Sequence, residues 1–143
     1  MTALEMHRQL MGIRELEQQF WRLKIQRDEL QSCLLPKAIR YDKDTVQTSP
    51  EDTMSDIAGR VVDIDTEMAS LRREKSNLII ALSRLIASLE DTDEQTVLMA
   101  YYIGRKSGYW IAENVISLSP QRIYQLRWAG LEHLAEKSIH ILH

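Results

Sequence analysis

The chain has 143 residues, 44% apolar and 27% charged, with 3 Pro, 5 Gly and a single Cys, which suits one or two small domains and leaves little punctuation for a many-stranded fold. Net charge is −3, and residues 91–143 carry 5 basic against 6 acidic groups, so indiscriminate nucleic-acid binding is not expected. No run approaches the roughly 18 uncharged apolar residues of a membrane span, the start carries Glu5, His7 and Arg8 unlike a secretory signal, and the lone Cys33 cannot form an intrachain disulfide, so the expected location is the cytoplasm, with no membrane partner.

Thr2 followed by Glu5 has capping-box spacing and opens the first predicted helix. Apolar residues then recur in a 3,4 pattern: Met6, Ile13, Leu16, Phe20, Leu23, Leu30 and Leu34, with Gln9 and Arg27 as polar members. That is a coiled-coil seam. Pro36 is expected to stop the helix, and the polar, aperiodic residues 36–50 read as a loop. Ser49-Pro50-Glu51-Asp52 starts a second helix, with Ser as cap, Pro in the first turn and acids at the positive end of the dipole. Its seam is Met54, Ile57, Val61, Ile64, Met68, Leu71, Lys75, Leu78, Leu82, Leu85 and Leu89, with Gly59 on the outer side. About 40 residues make a rod of about 60 Å. Two adjacent helices with matching seams predict an antiparallel hairpin, pairing Leu34 with Met54, Phe20 with Met68, and Met6 with Leu82. From Leu78 to Leu89 the second helix is apolar almost all round, so Ile79, Ile80 and Ile86 are expected to be covered by the C-terminal helices or by a second copy.

Asp91 and Glu94 again have capping-box spacing, before a short helix through Val97, Leu98, Tyr101, Tyr102 and Ile103 that Gly104 is placed to end. Ser107 can cap the next helix, with Trp110, Ile111, Ala112 and Val115. Ser119-Pro120 opens the last, expected to run to about Lys137 with Ile123, Leu126, Gly130, Leu131 and Leu134 inward and a frayed tail. The fold class expected is all-α: a long antiparallel coiled-coil hairpin over residues 1–90, then a three-helix helix-turn-helix domain over residues 91–143.

A helix-turn-helix unit puts the start of its last helix into the major groove of duplex DNA. There Gln121, Arg122, Gln125 and Trp128 point away from the Ile123/Leu131 side, with Tyr124 beside them. Arg can grip guanine O6 and N7, and Gln adenine N6 and N7. Arg105 and Lys106 precede the middle helix, where phosphate contacts would fall, and Ser119 with the free N–H groups behind it could add one more. Spacing alone weighs this equally against an ordinary solvated helix face. Catalysis is not expected: His7, His133, His140 and His143 do not make a metal cluster, there is no phosphate-binding glycine loop or nucleophile elbow, and no cofactor is called for.

The segment from Thr92 to Glu136 resembles region 4 of sigma-70-type factors in Tyr102-Ile103, Ser107, Ile111-Ala112-Glu113, Ser119, Ile123, Gly130-Leu131 and Leu134. A coiled-coil hairpin before such a module is similar to small phage and prophage transcription regulators of the ArpU and RinA types, whose last helix has a run like Ile123-Tyr124-Gln125-Leu126. The resemblance implies promoter DNA binding in a bacterial host and contact with RNA polymerase. The segment departs from the pattern in a turn before Ser119 that is one residue longer and lacks Gly, in Gly108 at a place where a bulky residue is common, and in Tyr101 where Arg is frequent. Two other readings stand beside a DNA-reading regulator. One is a protein-interaction module docking on RNA polymerase or another protein. The other is a DNA-packaging recruitment subunit, in which the coiled coil builds a homo-oligomer.

Overall fold

The computed structural model describes residues 1–34 and 50–142, with side chains described for 1–34 and 53–138. The described residues form helices and no strand: α1 (Ala3–Leu10), α2 (Gly12–Ser32), α3 (Pro50–Ala87), α4 (Thr92–Leu98), a π-helical turn (Met99–Ile103), α5 (Gly108–Asn114) and α6 (Pro120–Leu142). No helix among them is long and apolar enough to cross a membrane. The expected stop at Pro36, the 36–50 loop, the Ser49 cap and the side chains of His140 and His143 lie outside the described residues.

The described residues divide into two compact units, Met1–Glu15 with Lys75–His143, and Leu16–Glu74. In the second unit, Val61, Ile64 and Met68 are buried and Leu16, Phe20, Leu23, Leu30 and Leu71 are half-buried, as the 3,4 seam predicts. Met54 departs from it, at 45% exposed. Arg27 Nε donates to Asp65 Oδ1 at 2.5 Å, and the Arg72 guanidinium stands 4.8 Å from the centre of the Phe20 ring, one turn beyond Met68. The polar seam position Arg27 thus has an acidic partner on α3. Gly59 faces open space, as its outer position implies.

The first unit has the larger core. Met6, Leu10, Ile13, Leu82, Ile86, Leu89, Leu98, Tyr102, Leu131 and Leu134 form one buried cluster. It gathers α1, the start of α2, the end of α3, α4, the π-helical turn and α6. Thr2 and Glu5 make the capping box in full, each side chain bonding the other's backbone N–H. One continuous first helix was expected; the structure interrupts it at Met11, whose N–H turns to Gln9 O as well as His7 O. Gly12 follows at a close approach, since a Cβ there would stand 3.2 Å from Leu78 Cδ2. The apolar end of α3 is covered in part by the C-terminal helices: Ile86 is buried and Ile79 packs on the cluster, but Ile80 is 50% exposed within the chain. Leu98, Tyr102, Leu131 and Leu134 cover one side of α3 and leave the Ile80 side open.

Two predicted ends differ. At the start of α4, Asp91 accepts from Asp93 N and Glu94 N, but the second half of the capping box is missing. The buried Glu94 carboxylate instead takes His133 Nδ1 at 2.5 Å, tying α4 to α6. At the other end, Gly104 keeps an ordinary φ of −77° and Arg105 takes the left-handed conformation, φ 57°. The chain turns there because Gly104 N–H reaches back to Met99 O and Lys106 N–H to Ala100 O, a wider loop than an α-helical ending makes. Finally, α6 continues to Leu142 rather than ending near Lys137; no Gly or Pro lies between 131 and 142 to stop it.

Candidate nucleic-acid interface

The last two helices are positioned by a second cluster, Val97, Ile111, Ile123 and Leu126, with Ala100, Tyr101, Ala112, Ile116 and Leu118 packed against it. The connection between them holds itself in place. Val115 N and Ile116 N both bond Ile111 O, Leu118 N bonds Ile116 O, and the Ile116 and Leu118 side chains turn into the cluster. None of its residues has a positive φ, so it needs no glycine. Ser107 Oγ accepts from Trp110 N at 3.2 Å and Ser119 Oγ from Arg122 N at 3.2 Å, so both serines cap the helices they precede.

Burying Ile123 and Leu126 turns the opposite face of α6 outward. Gln121, Arg122 and Gln125 are exposed, as are Tyr124 and Trp128, at 38% and 44%. Gln121, Tyr124, Gln125 and Trp128 line one shallow surface depression with Ala129 and Glu132. Arg122 Nη1 lies 3.4 Å from Gln125 Oε1, so these two side chains are already oriented toward each other. Glu132 adds a negative charge to the lining of the depression.

Tyr124 is braced from below by the absence of a side chain. A Cβ at Gly108 would stand 2.6 Å from Tyr124 Cζ, closer than van der Waals contact allows. Gly108 therefore lets the Tyr124 ring lie across the start of α5, which accounts for glycine at a position where a bulky residue is common in the pattern this segment resembles. Arg105 and Lys106 stand on the segment leading into α5. Arg105 Nη1 donates to Ile103 O at 3.3 Å, and Lys106 Nζ lies 4.7 Å over the Trp110 ring. The eight side chains thus fall into two sets: Ser119, which caps α6, with Gln121, Arg122, Tyr124, Gln125 and Trp128 on its exposed face, and Arg105 with Lys106 before α5.

Sequence reasoning missed Arg127 and Arg14. Arg127 is half-buried, 5.8 Å from the Tyr124 ring and 4.8 Å from that of Tyr101; it donates to Tyr102 Oη at 3.1 Å. Tyr102 Oη in turn sits 2.6 Å from His7 Nδ1. Arg127 Nη1 also lies 3.4 Å from His7 Nδ1. Burial, then the charges of Arg127, Arg14 and Arg8, hold the His7 pKa below its ordinary value, and burial raises that of Tyr102. No linear motif joins positions 7, 14, 102 and 127. The one available signal was an Arg three residues after Tyr124 on a helix whose inward face is otherwise apolar. No protein family model, curated protein or solved structure matches the chain.

Proposed function

We propose that this chain is a DNA-binding transcription regulator of phage type, in which α5 and α6 act as a helix-turn-helix and α6 reads the major groove. The reading also takes α2 and α3 as an antiparallel coiled-coil hairpin that positions the module or carries a contact with RNA polymerase or a second copy. One observation carries it: Gln121, Arg122 and Gln125 stand exposed on the first turns of a capped helix whose other face is locked into a core by Ile123 and Leu126. Side chains that must make paired hydrogen bonds to base edges need such a rigid base. Lys106 and Ser119 would position the backbone, and the bases would be read from α6. The test is selection of binding sites from a random duplex library, followed by variants on the selected site. Arg122→Ala is expected to cost about 1–3 kcal/mol and relax preference at one base position, whereas Lys106→Ala weakens all sequences alike. Selection that enriches no sequence rules out base readout.

A second reading has its own observation. Tyr109, Trp110, Tyr124 and Trp128 are all substantially exposed, and aromatic residues are enriched where proteins dock on proteins. In that reading the same surface is a non-catalytic docking face. Duplex binding is then absent, and Trp128→Ala weakens capture of RNA polymerase instead.

A further inference from the structure

Arg14 and Arg127 are brought together from α2 and α6, and no carboxylate forms an ion pair with either among the described residues. Both guanidiniums lie on the Tyr101 ring, with Cζ 5.1 Å and 4.8 Å from its centre. Arg14 Nη2 donates to Tyr101 O at 3.1 Å, and Arg127 Nη1 to Tyr102 Oη. The Nε atoms of both are buried without a hydrogen-bond partner. Arg14 Nη1 and Arg127 Nη2 have no protein partner among the described residues either, and they are not enclosed. Some other cations of the chain do have acids: Arg27 has Asp28 and Asp65, and Arg60 has Glu67. Here two like charges share one aromatic ring, beside a histidine whose protonation would add a third. A half-buried pair of this kind, with one terminal nitrogen of each guanidinium still open, is suited to a tetrahedral oxyanion.

We propose that Arg14 and Arg127, stacked on Tyr101, form a binding site for a phosphate group. Guanidinium N–H groups are strong donors to phosphate oxygens, and with both cations held against the Tyr101 ring, Arg14 Nη1 and Arg127 Nη2 are the nitrogens left to donate. Arg127 also stacks beside Tyr124, which places the site on the flank of the face taken above to read DNA. A backbone phosphodiester is therefore one source of the group, and that part rests on the DNA-reading proposal; free phosphate is the other source and does not.

The experiment has two arms on the full chain. In the first, pyrophosphate is titrated at constant ionic strength against a chloride control, following the side-chain N–H signals of Arg14 and Arg127 by NMR. The expected result is a saturable shift of both, abolished in Arg14→Gln, whose helicity and melting temperature are checked because its one lost hydrogen bond is to Tyr101 O. Arg127→Gln gives the second reading. In the second arm, duplex DNA is titrated at several salt concentrations, and Arg14→Gln is expected to shallow the salt slope by about 1. Pyrophosphate binding without duplex binding upholds the site and removes DNA as its source. Duplex binding with an unchanged slope in Arg14→Gln, and no saturable pyrophosphate shift, overturns the site and leaves the DNA-reading proposal standing. A pyrophosphate shift that survives both substitutions also overturns it.

Discussion

Two histidines pull stability in opposite directions with pH. His133 donates to the buried Glu94 carboxylate, and that hydrogen bond, above all, raises its pKa. Its contribution is fully present below pH 6.5, the unfolded value, and is lost as pH rises through the folded pKa. His133 is itself half exposed, so solvent screens part of the effect. His7 has the reverse sign. Its folded pKa is lowered, so below pH 6.5 the unfolded chain binds a proton that the folded chain refuses, and stability falls until the folded pKa is reached. Thermal melts from about pH 5 to 8 separate the two. His133→Gln should flatten the decline above pH 6.5, and His7→Gln, which can still accept from Tyr102, should flatten the decline below it. A melting curve that keeps its shape in both variants would remove these residues from the account. The sequence offered little here. Glu94 was legible as a helix-start residue, but its actual partner stands 39 positions away, and nothing local sets Asp91 and Glu94 to complete or break their box.

At the scale of elements, periodicity was the readable signal. The 3,4 seam picked out Met6, Ile13, Ile64, Met68, Leu82 and Leu89, all buried, because one helix face must meet apolar surface whatever lies opposite. It could not say which side of the apolar α3 end the C-terminal helices would leave uncovered, which is the Ile80 side. Ile86→Ala should cost about 2–5 kcal/mol, while Ile80→Glu, at a half-exposed position, should leave the melting temperature nearly unchanged. Comparable losses in the two variants would mean that Ile80 is covered. The glycines divide in the same way. Gly59→Ala meets open space and should raise stability by about 0.5–1 kcal/mol through helix propensity. At Gly130 a Cβ would stand 2.9 Å from Leu98 Cδ1, between α4 and α6, so Gly130→Ala should cost about 1–3 kcal/mol by overpacking. Denaturant midpoints of the two variants shifting the same way would contradict the packing described. The close approach of Gly108 to Tyr124 was equally illegible, since a glycine near a helix start reads as a turn residue until its tertiary neighbour is known.

For the whole molecule, the central claim is that α6 reads base sequence. The exposed face from Gln121 to Trp128 was legible, because Ser119-Pro120 fixes where the helix begins and Ile123 with Leu126 fixes which face turns inward. The Arg14–Tyr101–Arg127 stack beside it was not, because 87 positions separate Arg14 from Tyr101. A net charge of −3 makes the claim exposed to refutation, since a chain whose acidic groups outnumber its basic ones must rely on a few placed contacts. The most direct measurement is a binding titration of the full chain against a selected duplex and its scrambled counterpart, at two salt concentrations. The account predicts tighter binding to the selected duplex at both salts, with affinity for each duplex falling as salt rises. Equal affinity for the two duplexes, or no binding that responds to salt, would contradict it.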